Sequence, residues 1–187
     1  KLLKYLIRNK HWSPFEMVNM VLEIKTTRDI ARQILRHRSF SFQEFSQRYA
    51  VAENFVYREP RLQDEKNRQN SIETDNEDIK KLWGEIQKAS VESSVNAYNT
   101  ALRAGIAKEQ ARCLLPEGNT VSTIYMNGTI RSWLHYCDLR CENGTQKEHM
   151  EVALKCREIL YTELAKCKHD PNKDINSLVE WLEERHI

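Results

Sequence analysis

The sequence predicts an α+β chain, a few strands set among many helices, and three observations carry that prediction. Residues 16–26 alternate, with Val18, Met20, Leu22 and Ile24 on one face, and Pro14 precedes them, the pattern of a half-buried strand. Residues 119–126 form a second β-rich run. Most of the remainder carries apolar residues at helical spacing, and glycine and proline are scarce, 5 and 4 among 187 residues.

The elements follow in order. Leu2, Leu3, Leu6 and Ile7 open the chain in a helical pattern. After the first strand, Ile30, Ile34 and Leu35 predict a helix over 28–37, and the polar and aromatic stretch 38–50 reads as a loop or irregular strand. Residues 57–73 have no period and many charges, which predicts a surface loop. Thr74 and Glu77 form a capping box that starts a long helix ending near Gly105. Its apolar stripe runs through Ile79, Leu82, Trp83, Ile86, Val95, Tyr98, Ala101 and Leu102. A short helix over 107–115 stops at Pro116, and Asn127-Gly128 breaks the second strand before a helix over 129–141. Thr145 and Glu148 make a second capping box for a helix reaching about Lys168, and 174–185 is a last amphipathic helix.

Composition sets the bounds. A chain of 187 residues, 40% apolar and 30% charged, suits one globular domain over 1–187. A net charge of +2 is too small to imply a polyanion partner. The five cysteines, 113, 137, 141, 156 and 167, make no disulfide framework, so a reducing, cytoplasmic setting is expected. No apolar run is long enough to span a membrane, and no signal peptide is expected. The chain opens at Lys1 inside a helical pattern without Met, so residues are expected to be missing upstream.

The segment from Arg36 to Tyr49 holds the most chemistry. Arg36, His37 and Arg38 fall at the end of the expected helix, where cations commonly just offset the dipole. That reading leaves Ser41, Glu44, Ser46, Arg48 and Tyr49 unexplained, a polar set interleaved with Phe40, Phe42 and Phe45. On an extended segment, alternation sends the aromatics into a core and the polar groups into a cleft. Guanidinium groups in a cleft suit phosphate, because the fork matches two oxygens.

Arg36-His37-Arg38, seven residues, then Ser46 resembles the signature of flavin-dependent thymidylate synthases, and the match continues through Glu44, Arg48 and Tyr49. His11 to Glu16, with Pro14-Phe15-Glu16, is similar to the segment before that family's first long strand. Ala111-Arg112-Cys113-Leu114-Leu115-Pro116 resembles its Ala-Arg-x-x-Leu-Pro, and Arg131 to Arg140 resembles its flavin-binding helix with a nucleotide-binding Arg. Four segments in the right order cover most of 1–141, whereas 142–187 holds little that is diagnostic.

The resemblance implies one sheet flanked by helices, in a homotetramer with FAD and the sites between subunits. It implies transfer of a one-carbon unit from 5,10-methylenetetrahydrofolate to C5 of dUMP, with NADPH regenerating the reduced flavin. It implies flavin contacts from His11, Ser13, Glu16, Arg36, His37, Arg38, Glu44, Arg131 and His135, with Asn127 or Thr129 as a further one. His135 stands where some relatives have Asn, and both can donate a hydrogen bond. For dUMP it implies Gln33, Arg36, Glu44, Ser46, Gln47, Arg48, Arg112 and Arg140. Arg48, Arg112 and the Ser46 hydroxyl would hold the 5′-phosphate, while Gln33 and Arg140 would face base and sugar. Arg140 is the expected catalytic residue, a permanent cation that favours the anionic uracil ring. On a helix Arg131 and His135 share a face with Arg140 roughly opposite, which suggests flavin on one face and nucleotide on the other.

Other chemistries fit less well. Ser46 has no evident base beside it and is a poor nucleophile. His135, Cys137, Cys141 and His149 match no common zinc spacing, so no metal is expected. No cysteine sits in the Pro-Cys context that a thiol-based thymidylate synthase needs, in keeping with a flavin route. The rival is a nucleic-acid module, with Arg36, Arg38, Arg48 and 57–73 as phosphate track and Phe40, Phe42 and Tyr49 stacking on bases. Near-neutral charge and Glu44 within that track count against it, so no nucleic-acid partner is expected.

Overall fold

A computed structural model describes residues 2–49, 51 and 54–166. In chain order the elements are α1 (Leu2–Arg8), a 3-10 turn (Ser13–Glu16), β1 (Asn19–Thr27), α2 (Arg28–Ile34), β2 (Ser41–Glu44), β3 (Arg61–Gln63), β4 (Ser71–Glu73), α3 (Glu77–Arg103), α4 (Lys108–Ala111), a second 3-10 turn (Arg112–Leu114), β5 (Val121–Thr129), α5 (Ile130–Arg140) and α6 (Lys147–Lys166). The fold is α+β: a small sheet in the order β1-β5-β2, flanked by helices. Two compact units organise the packing of the described residues, one of 2–23, 36–42 and 125–166, the other of 24–35, 43–49, 51 and 54–124. The division falls inside each of the three strands.

In the first unit, Met126, Trp133, Leu134, Tyr136, Ala153, Cys156 and Leu160 are buried where α5 packs on α6. In the second, Ile24, Ile30, Ile34 and Ile124 are buried. A further cluster there joins Tyr98, Ala111 and Leu115, with Phe55, Ala101 and Leu102 packed against it. The alternation read in the sequence is present in β1, where Met20 and Leu22 are half-buried and Ile24 buried. Val18 lies outside the strand and is exposed. The strand begins later than expected because Pro14 starts the preceding 3-10 turn, for which its fixed φ is preset.

Several boundaries need correction. α2 ends at Ile34, so Arg36, His37 and Arg38 lie in turns beyond it rather than at its last turn. Ile30, Ala31 and Ile34 are its buried stripe, and the next positions on that face, His37 and Arg38, are too polar to prolong it. Residues 57–73 are not simply a loop but contain the hairpin β3–β4, with Leu62 opposite Ile72. Both of these side chains are exposed, so neither face is buried and no period-2 contrast was there to read. Asp64 holds the hairpin loop, its carboxylate accepting from the main-chain N–H of Lys66 at 2.8 Å and of Asn67 at 3.1 Å.

The cap of α3 is Asn76, not Thr74: its Oδ1 accepts from the N–H of Asp78 and Ile79 at 3.0 and 3.2 Å. Gly105, at φ 82°, follows the helix end in the left-handed conformation. Along α3, Val91 and Tyr98 are buried, but Leu82 and Ile86 are exposed. Gln87, off the predicted stripe, is buried because its amide bonds both main-chain groups of Arg58, at 2.9 and 2.8 Å. Thr129 caps α5, its Oγ1 accepting from Ser132 N–H at 3.2 Å. The expected end of α6 near Lys168 and the helix over 174–185 lie outside the described residues. Among the described residues no helix is long and apolar enough to cross a membrane.

Asn127-Gly128 does not break β5, which runs on to Thr129. Gly128 is there because the ring of Phe40 lies against it: a Cβ would sit 2.3 Å from Phe40 Cδ1. That ring cannot yield, being packed edge-on against Trp133 at 4.9 Å and near Phe42 and Tyr136. Gly128→Ala is therefore expected to destabilise the fold by about 2–3 kcal/mol, as overpacking of a filled core does. A denaturant midpoint equal to that of the parent would show that the ring gives way.

Candidate active site

The first unit assembles most of the residues expected to meet flavin. α5 follows β5 without a loop, so Arg131 and His135, one turn apart, both reach the 11–16 segment. Arg131 pairs with the Glu16 carboxylate, and the His135 ring meets Trp12 edge-on at 5.0 Å. Burial, then the neighbouring Arg131, hold the His135 pKa below its ordinary value, so the ring is neutral near pH 7. His11 is exposed, with its ring edge-on to Tyr5 at 5.9 Å, and Ser13 is exposed at the start of the 3-10 turn. Arg36 and Arg38 are exposed, and neither makes an ion pair or hydrogen bond with another described residue.

Arg140 ends α5, and its Nε–H donates to His37 Nε2 at 2.9 Å. Guanidinium only donates, so His37 Nε2 must carry a lone pair and the ring is the neutral Nδ1–H tautomer. The electrostatics agree: burial, then Arg140, push the His37 pKa down. Since the bond engages only Nε, the two terminal nitrogens of Arg140 remain outside it. Asn127 and Thr129 differ in the same way. The Thr129 oxygen is committed to its cap, whereas Asn127 Oδ1 is buried with no hydrogen-bond partner among the described residues.

The second unit gathers most residues expected to hold the nucleotide. Glu44 accepts from Arg28 Nη1 at 3.1 Å and from the Ser122 hydroxyl at 2.8 Å. Arg28 and Arg32 also share Glu117, at 3.3 and 2.6 Å; the Arg32 hydrogen bond, above all, keeps that carboxyl below its usual range. The Ser46 Oγ accepts from Arg48 N–H at 3.3 Å and shapes the turn, which leaves its own O–H able to donate. Gln47 is buried, with Nε2 lacking a partner among the described residues. Arg48 and Arg112 converge on one residue: Arg48 Nη2 meets the Glu109 carboxylate at 3.2 Å, and Arg112 Nε–H donates to the Glu109 carbonyl at 3.3 Å. Gln33 is half-buried on α2.

Of the aromatics expected to interleave with this set, only Phe40 is buried; Phe42 is half-buried and Phe45 is exposed. The cause is parity: Phe40 and Phe42 share one face of the extended segment, whereas Phe45, at odd spacing from both, lies on the exposed face with Ser41 and Gln43. Phe40 and Phe42 pack on each other, with ring centroids 6.2 Å apart and planes tilted by 39°. Sequence reading missed Arg28, Ser122, Glu109, Trp12 and Tyr136, and weighed His149 only as a metal ligand. Only Glu109 left a signal, three residues before Arg112 on a helical pattern.

His149 is wholly buried, and its Nε2 lies 3.2 Å from the Tyr136 hydroxyl. Burial, then Arg140 and His37, depress its pKa to about 4. Unfolded, this imidazole takes its proton near the usual 6.5. Between those values the unfolded chain binds more protons, so His149 contributes stability that is complete above pH 6.5 and lost as the pH falls to about 4. The loss is on the order of 3 kcal/mol. His149→Leu is expected to flatten the slope of Tm against pH across this window, and an unaltered slope would assign it to other groups.

Residues 1–164 match the family model described as thymidylate synthase complementing protein. The chain belongs to this family. It is 52% identical over 181 residues to the flavin-dependent thymidylate synthase of Synechocystis sp. strain PCC 6803, covering 97% of this chain and 80% of that one. Another family member, the flavin-dependent thymidylate synthase of Kosmotoga olearia, is 32% identical over 85% of this chain and 70% of its own. Among solved structures, the UMP/dUMP methylase PolB of Streptomyces cacaoi, bound with 5-Br UMP, superposes with a TM-score of 0.78. It is 26% identical, with 86% of this chain and 77% of that one covered. A thymidylate synthase complementing protein of this kind is an enzyme, a methyltransferase that depends on flavin.

Proposed function

We propose that this chain is an FAD enzyme that moves a one-carbon unit from 5,10-methylenetetrahydrofolate to C5 of dUMP, with NADPH restoring the reduced flavin, as a homotetramer in the cytoplasm. Flavin-dependent thymidylate synthesis by methylation of dUMP rests on the family and its relatives. The identity of the flavin, the co-substrates, the assembly and the residue roles make up the proposal. One observation carries it: Arg140, the residue assigned to uracil, is held at Nε by His37, a residue assigned to flavin. Side chains proposed for the two ligands thus form one hydrogen-bonded pair.

The uncommitted groups fit the ligands. Arg36 and Arg38 offer free guanidinium forks to a pyrophosphate. The buried Asn127 Oδ1 needs a donor, and a flavin ring N–H supplies one; this favours Asn127 over Thr129. The buried Gln47 Nε2 needs an acceptor, which a nucleotide supplies in quantity. Arg48, Arg112 and the Ser46 hydroxyl would bind the 5′-phosphate, and Glu44, fixed by Arg28 and Ser122, would accept from the nucleotide or flavin. When bound, the flavin supplies the redox chemistry. Arg140 stabilises negative charge on the uracil ring, while Gln33 faces base and sugar.

The test is to purify the protein, record its flavin absorbance, and assay dTMP formation from dUMP, methylenetetrahydrofolate and NADPH. Arg36→Ala and Arg38→Ala should each weaken FAD retention by about tenfold or more, since a hydrogen bond to a charged group contributes about 1.5–3 kcal/mol. Thermal stability of the flavin-free protein should barely move, because neither side chain bonds another described residue. Undiminished flavin content in both variants would overturn the assignment.

A further inference from the structure

Behind Arg140 lies a polar pair that none of the roles above uses. Tyr136 and His149 are both buried, at 2% and 0% exposure, and their Oη and Nε2 atoms are 3.2 Å apart. Two apolar side chains would fill the same space without removing a hydroxyl and an imidazole from water. What the pair does is fix the plane of the Tyr136 ring. That ring is also packed against Phe40 at 5.9 Å and perpendicular to Trp133 at 5.9 Å. His37 meets it edge-to-face, with centroids 5.0 Å apart and planes at 84°, and the His149 ring lies 6.2 Å from the His37 ring, with planes at 80°. His37 in turn receives the Arg140 Nε–H at 2.9 Å.

We infer that Tyr136 and His149 are positioning residues for the methyl-transfer reaction. They brace the ring of His37, and His37 sets the direction of the Arg140 fork. The inference rests on the proposed role of Arg140. Its physical basis is that a guanidinium on a long flexible stem is a poor catalyst unless held, and a misplacement of about 1 Å can cost up to about a hundredfold in rate. One hydrogen bond to Nε removes the swing of the stem but transmits any tilt of its acceptor. His37 sits in a turn outside regular structure, so its ring needs an outside support, and Tyr136 supplies the surface. Other ionisable groups near this stack are Cys137 on α5, Cys141 at its C-cap and Cys156 on α6. Burial pushes the Cys156 thiol up to about 12, and the Cys141 hydrogen bond, then burial, raise that of Cys137, so neither is an anion that competes with His37 for the Arg140 donors; the Cys137 hydrogen bond holds the Cys141 thiol lower.

The experiment is a set of single and double variants of the full chain, with kcat measured at saturating dUMP and dUMP affinity measured separately by flavin fluorescence. Tyr136→Phe keeps the ring and loses the hydroxyl, and His149→Leu keeps the volume and loses the partner. Each is expected to lower kcat by about tenfold, with dUMP affinity and flavin content within about twofold of the parent. His149→Gln, which can still bond the hydroxyl, should recover most of the rate; it also serves where His149→Leu does not fold. The double variants on Arg140→Ala should show no further loss, because residues acting through one group are not additive. An unchanged kcat in both single variants, or an equal further loss on Arg140→Ala, would overturn the brace and leave Arg140 as assigned. Normal turnover by Arg140→Ala alone would overturn the role of Arg140 first, and the brace with it.

Discussion

Arg140→Ala is expected to lower kcat by about 100-fold or more even when dUMP saturates, on the order of 3 kcal/mol of transition-state stabilisation. The size follows from where the charge is needed. The uracil ring gains negative charge only as C5 is activated, so a cation beside it acts on the transition state more than on the bound substrate. Arg140 is suited to this because its Nε is anchored by a neutral His37, which uses one donor and adds no competing positive charge. A positive His37 could not accept the bond and would repel the guanidinium, so the rate should also fall as His37 becomes protonated. The measurement is steady-state turnover across dUMP concentration, with dUMP binding followed independently. If Arg140→Ala turns over normally at saturation, the residue only binds.

The contrasting case is the pair Arg48 and Arg112. Arg48→Ala and Arg112→Ala should each raise the KM for dUMP by about 10- to 100-fold, the equivalent of one hydrogen bond to a charged group. Their kcat should stay within about threefold of the parent, because the 5′-phosphate is identical in substrate and transition state and its binding is uniform. Both side chains meet Glu109, Arg48 at its carboxylate and Arg112 at its carbonyl. A uridine nucleoside without phosphate should show no difference between parent and variants. A fall in kcat for either variant with an unchanged KM would move that residue from the phosphate to the reacting ring.

Much of this molecule was legible before its structure. β1 and β5 announce themselves because one face of each meets a core, so burial writes a period of two into Met20, Leu22 and Ile24. α5 is legible for the matching reason, with Ile130, Trp133, Leu134 and Cys137 at helical spacing on its buried side. The chemical types at the candidate site were legible too, since the Arg36 to Tyr49 segment combines residues that a plain core or a plain surface would not. The β3–β4 hairpin was not, because Leu62 and Ile72 face solvent and no contrast marks the strands. Nor could the place of Gly128 be read: next to Asn127 it looks like a turn, and only the Phe40 ring, 88 positions earlier, shows it to be a point of close approach.

The sequence by itself determined the fold class, the two long strands, and the set of arginines, histidines and amides available for anion and flavin binding. These follow from local periodicity and from the chemistry of single side chains. Tertiary structure alone decided which of those groups are spent and which remain. Arg131 is spent on Glu16, and Thr129 on its own helix, whereas the Arg36 and Arg38 side chains and Asn127 Oδ1 have no partner among the described residues. Arg140 finds His37 across 103 residues, and Arg48 finds Glu109 across 61. Such partners leave no trace in a local pattern, because a hydrogen bond depends on an approach of about 3 Å between side chains that only packing brings together.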